Sequence, residues 1–142
     1  MSEWDDVVKN LSSEDWRQIE DINLRVQSHS GSWGKMSGGD EVEPGVMQMP
    51  YASPDPLVSE FVKLWFEKNL IISFDWGNWQ EGRDWYENID EAKYDSLDSE
   101  MALKLLTAVI RNDRFNEGAL MRAFENGDLP KIINKFVGLK AQ

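Results

Sequence analysis

Two stretches of this chain carry apolar side chains over too wide an arc for a helix lying on a surface. Leu57, Val58, Phe61, Val62, Leu64, Trp65 and Phe66 sweep about 200° of a helical wheel, roughly twice the usual core-facing stripe. Met101, Ala102, Leu103, Leu105, Leu106, Val109 and Ile110 make a second broad arc. A helix apolar over that much of its circumference must be covered on more than one side. The chain is therefore expected to be mainly α, a compact single-domain helical bundle of about five to seven helices over residues 1–142, with the helix at 56–69 at its centre.

The covering helices are legible from their spacing. Trp4, Val7, Val8 and Leu11 form one stripe, with Ser2 as a candidate cap. Ser12 and Asp15 have the spacing of a capping box, with Asp in place of Glu. They open a helix whose Trp16, Ile19, Ile22 and Val26 face inward. Pro56, after Ser53-Pro54-Asp55, marks the start of the next helix. A short helix interrupted by Gly82 is expected between Asn78 and Tyr86. Asp95 or Ser96 opens the second broad-arc helix. Another runs over 116–125 and stops at Asn126-Gly127. Asp128 caps the last, which has Pro130 in its first turn and Ile132, Ile133 and Phe136 on its buried face. Residues 70–74 read equally as strand or helix. The Ser/Gly-rich stretch 28–53 reads as a flexible loop with an extended piece around Val46–Met49, and at most a short hairpin or strand pair. No internal repeat and no second domain boundary is visible.

Composition narrows the chemistry. There are no cysteines, which removes disulfides, thiol nucleophiles and cysteine-held metals. The net charge is −11, so nucleic acid, which selects basic stripes, is not an expected partner. Residues 75–100 hold 2 basic and 9 acidic side chains, whereas residues 101–142 hold 7 and 4. No apolar run is long enough to cross a membrane, and the acidic start lacks the pattern of a signal peptide. A cytoplasmic protein is expected.

Candidate catalytic groups are few. The only histidine, His29, lies in the Ser/Gly stretch and is expected to be solvated. Asp40, Glu41 and Glu43, and again Asp95, Asp98 and Glu100, lack calcium-loop spacing. Acids at a helix start also have a plain electrostatic explanation. No metal and no cofactor is expected, since the glycines match no phosphate cradle.

Two segments stand out. Phe74 to Tyr86 is rich in aromatics, and Trp76, Trp79, Arg83 and Tyr86 could share a helical face. They read either as a ligand platform, with rings for stacking and Arg83 for an anion, or as an aromatic corner of the core. Leu105 to Gly118 carries Arg111 and Arg114. If the helix continues to 114, Arg114 points along the core face and must be paired, with Asp113 and Glu117 nearby. Either the arginines satisfy helix-end carbonyls or they share an anion site.

The run Asp75, Trp76, Trp79, Gly82 is followed by Leu103, Leu105, Leu106, Thr107, Arg111, Asp113, Arg114, Phe115, Glu117 and Gly118. Over residues 50–137 this pattern resembles a family of small bacterial proteins of unknown function. The resemblance implies a compact helical fold and a bacterial origin, and no activity.

The functional expectation is a non-enzymatic binding or regulatory module, engaging a protein partner or itself. The alternative is a small-molecule, nucleotide or anion-binding protein, or an enzyme acting on such a ligand, built on Trp76, Trp79, Arg83, Arg111, Arg114 and Glu117. A nucleic-acid mimic or an antagonist from a mobile element is the remaining class.

Overall fold

The computed structural model describes residues 3–38, 41–47, 51–87, 90–116 and 118–140. Ser2, Gln48, Met49 and Glu117 lie outside them. Among the described residues there are eight α-helices and two antiparallel strand pairs.

The first helix, α1 (Glu3–Lys9), buries Trp4. The next, α2 (Ser13–Ser28), begins as its spacing requires. Asp15 N–H donates to the Ser12 hydroxyl and Ser12 N–H donates to the Asp15 carboxylate, each at 3.0 Å. The other Asp15 oxygen accepts from Lys68 Nζ at 2.9 Å. The Lys68 hydrogen bond, then the Ser12 N–H, hold this carboxyl below the ordinary Asp range. One residue thus caps α2 and pins the chain just past α3 (Pro56–Glu67) to it.

The third helix, α3, starts with Asp55 accepting from Leu57 N–H and with Pro56 in first position. It ends at a left-handed Asn69 with φ of 60°. Asn69 N–H bonds Phe66 O and Leu70 N–H bonds Trp65 O, which is the Schellman pattern. That turn settles residues 70–74. They are neither strand nor helix but an irregular segment that buries Leu70.

The remaining helices are α4 (Gln80–Glu87), α5 (Glu91–Asp95), α6 (Ser99–Asn112), α7 (Ala119–Glu125) and α8 (Asp128–Leu139). The five-residue α5, capped by Asp90, is the one helix the sequence pattern did not announce. Asp98 caps α6 through Met101 N–H at 2.8 Å, two or three residues later than the Asp95 or Ser96 read from sequence. At α8 the cap position is Gly127, and Asp128 is the first helical residue, its N–H held by Asn126.

The centre is not α3. It is the pair α6 and α8, packed on each other, with α1 and α7 against α6 and α2, α5 and α7 against α8. Leu103, Leu105 and Leu106 of α6 and Leu129, Ile132, Ile133 and Phe136 of α8 are fully buried. The wide arc of α3 is only partly used. Phe61 and Trp65 are buried, Val62 and Leu64 are half-buried, and Phe66 is 46% exposed.

Residues 34–37, 41–43, 46–47 and 51–54 form two strand pairs, here called the ribbon, in the stretch read as a loop with at most one short pair. Strand β1 (Gly34–Ser37) pairs with β4 (Tyr51–Pro54), and β2 (Glu41–Glu43) pairs with β3 (Val46–Met47). The β2–β3 turn is Pro44-Gly45, with Gly45 at φ 81°, the arrangement a type II turn asks for.

The ribbon is seated by its base. Trp33 is buried against Phe124, ring centroids 4.7 Å apart, and His29 stacks on it at 3.7 Å. Glu125 accepts from Trp33 N–H at 2.6 Å. His29 is therefore not a solvated loop residue. Its Nε2 lies 3.3 Å from Asp55 Oδ2 and its side chain is 12% exposed. The Leu57 N–H, and then His29, hold the Asp55 carboxyl below its ordinary range.

Candidate functional site

The aromatic turn lies against the C-terminal half of α6 and leaves a cleft between them. Trp76 belongs to a short 3-10 turn, Trp76–Asn78, and Trp79 follows it before α4 begins. The four residues expected on one helical face are thus split between a turn and a helix, yet they share one cleft. It has a volume of about 270 Å³ and is lined by Trp76, Trp79, Arg83 and Tyr86 on one side and by Val109 and Asn112 on the other. Ala108 and two glycines complete the lining.

The walls are held from behind. Trp79 stands edge-on to Phe74 at 5.3 Å, and Phe74 stands edge-on to Trp4 of α1 at 5.5 Å. Lys104 of α6 sits over Trp79 at 5.9 Å, within cation–π range. Gly82 lets α4 approach the Trp79 ring, because a Cβ there would stand 2.4 Å from Trp79 Cε3. The Arg83 guanidinium donates to Gly77 O and so closes the turn. Asp75 bonds the Asn78 amide at 3.0 Å rather than an indole.

The expected arginine pair does not join the cleft. The helix stops at Asn112 with Asp113 as its cap, so the wheel that aimed Arg114 at the core no longer applies there. Arg114 is exposed in the following turn. Arg111 turns the other way and lies over Phe66 of α3, 5.5 Å from the ring centroid. Asp113 accepts from Leu120 N–H at 3.1 Å and serves α7 instead of an arginine.

The residues of α6 that do reach the cleft, Ala108, Val109 and Asn112, were not singled out by sequence. Phe115 was quoted only as part of a motif. It is 76% exposed, with its ring 6.1 Å from that of Trp76 at an interplanar angle of 33°.

The Tyr86 hydroxyl is buried and has no hydrogen-bond partner among the described residues. Burial, then Asp128 and Tyr94, push its pKa above the ordinary tyrosine range, so it is a neutral donor and acceptor.

A groove of about 440 Å³ between α2 and α3 is lined by charges that pair with one another, including Arg25 with Glu60 at 2.5 Å. Among the described residues no three acidic or histidine side chains converge as metal ligands would. No helix among them is long and apolar enough to cross a membrane.

The model of one protein family matches residues 11–140. The chain belongs to that family of unknown function, DUF6508. The DUF6508 match takes in α2 and the ribbon as well as the helices at 50–137 that carried the resemblance. No curated protein and no solved structure matches the chain.

Proposed function

We propose that this DUF6508 protein is a non-enzymatic binding module, and that the tryptophan cleft receives an apolar side chain of a protein partner. The observation that supports this most is the cleft's size and lining. At about 270 Å³ it falls just under the roughly 300–1,000 Å³ of pockets that enclose drug-sized ligands. It is ample for one large side chain. Half-buried aromatic walls with an exposed aromatic beside them, here Phe115, supply the ring-rich surface that interface hot spots draw on.

A filled cleft tests the reading. Ala108→Phe places a ring into the space without removing a native contact. A photo-crosslinking residue at position 112 is expected to capture a protein partner in the host cell, and Ala108→Phe to abolish that capture. A partner captured equally well by both chains contradicts the proposal.

The polar groups at the cleft's rim, the Asn112 amide and the Arg83 guanidinium, favour a second reading, a small planar ligand whose polar edge meets them. A ligand present at a hundred times its dissociation constant would add about 2.7 kcal/mol. A thermal-shift screen of nucleotides and phosphates would show it as a raised melting point that Ala108→Phe removes.

A further inference from the structure

The tryptophan cleft has a projection beside it. At 76%, Phe115 is the most exposed large apolar side chain among the described residues. Its ring lies 6.1 Å from that of Trp76, yet it does not line the cleft. A single exposed phenylalanine needs no explanation by itself, but this one is held out by its turn. Phe115 N–H and Asn116 N–H both donate to Asn112 O at 2.9 Å, and the Asn116 side-chain oxygen accepts from the Arg122 guanidinium at 3.0 Å. Asp113 ties the same turn to Leu120 N–H. The ring is thus fixed at the lip, three residues past Asn112, which lines the cleft. Charge divides along the same line. The turn with the projection carries Arg114, which is exposed, and is bonded by Arg122. The aromatic turn and α4 on the other side carry the exposed carboxylates of Asp75, Glu81 and Glu87, while Arg83 among them is tied to Gly77 O.

We infer that the occupant of the cleft is Phe115 of a second copy of this chain. The inference rests on the cleft reading above and names the partner. A projection and a recess side by side on one face are self-complementary under a twofold axis. Each copy's Phe115 enters the other's cleft, as an isologous contact requires. The axis passes between Phe115 and the cleft, beside Trp76, and brings the two Trp76 rings toward each other. The same rotation sets Arg114 of each copy against the acidic wall of the other. Two chains of net charge −11 repel at long range, and this is a face where opposite charges meet. It gives the contrast between the acidic residues 75–100 and the basic residues 101–142 a role beyond solubility. A ring already held in place loses little freedom on binding. With one ring seated per copy the contact is small, which makes a reversible dimer rather than an obligate one.

The test is sedimentation equilibrium of the purified full chain from micromolar to millimolar concentration. A reversible dimer is expected. Phe115→Ala, which removes both projections, and Ala108→Phe, which fills both clefts, should each weaken it about a hundredfold, about tenfold for each seat. An equimolar mixture of the two variants keeps one intact seat, because the Phe115 of one meets the open cleft of the other. It should form a heterodimer about tenfold tighter than either variant with itself. Arg114→Glu sets acid against acid at both seats and should weaken the dimer about tenfold. A dimer indifferent to Phe115→Ala, a mixture no tighter than its components, or an unchanged or tighter Arg114→Glu dimer would overturn the inference. A chain that stays monomeric, while the crosslinker at position 112 captures a different protein and loses it on Ala108→Phe, would overturn it and leave the cleft reading standing. A monomer with no capture sensitive to Ala108→Phe would overturn both.

Discussion

Phe136→Ala is expected to cost about 3–5 kcal/mol of stability. Phe136 is fully buried on α8. Its ring stacks on Trp16 of α2 at 5.6 Å and stands edge-on to Trp65 of α3 at 5.7 Å. Large rings held on three separate helices cannot collapse into the vacated volume, so the cavity term adds to the lost transfer energy. For a domain of this size the melting temperature should fall by roughly 10–15 °C, read by calorimetry. A fall of only a degree or two would mean that α8 is peripheral and that the packing order given above is wrong.

Gly34→Ala should be the most damaging change in the ribbon. Gly34 has φ of 132°, and a Cβ there would stand 2.4 Å from Ser53 O, 2.6 Å from Pro54 Cα and 2.7 Å from Met121 Sδ. Two of those atoms are backbone of the paired strand, in register with Gly34 itself, and they cannot yield without breaking that pairing. Backbone strain of about 1–3 kcal/mol combines with overpacking of a similar size. Gly45→Ala is the control, because Gly45 also has positive φ but nothing lies within 4 Å of its would-be Cβ. Denaturant unfolding of the two variants should place Gly34→Ala well below Gly45→Ala. Equal midpoints would contradict the seating of the ribbon against α7.

What could be read from sequence was what local chemistry decides. The Ser12–Asp15 box, Pro56 at a helix start, and the buried faces of α2, α6 and α8 depend on neighbours within a few residues, and each appears as its spacing requires. The pairing of β1 with β4 escaped because its register joins Gly34 to Pro54 across twenty residues, although Pro44-Gly45 was a turn signal for the shorter pair. His29 was misjudged for the same reason. Its partners, Trp33 and Asp55, come together only when the ribbon closes. The central position assigned to α3 failed because apolarity was equated with burial, whereas Phe66 stays largely exposed with Arg111 of α6 over its ring.

The cleft was half legible. Clustering of Trp76, Trp79 and Arg83 is a local fact, and the structure adds α6 as their opposite wall. The arginine half of the expected site depended on extending α6 past Asn112. Once the chain turns there, Arg111 and Arg114 diverge.

The most direct measurement is a titration of the labelled protein with N-acetylphenylalaninamide, followed through the seven indole N–H signals and the valine methyls by NMR. Saturable shifts at Trp76, Trp79 and Val109, with Trp16 and Trp65 unmoved, are the expected result. Shifts confined to the α2–α3 groove, at Ile22 and Leu64, with the cleft signals still, would contradict the account.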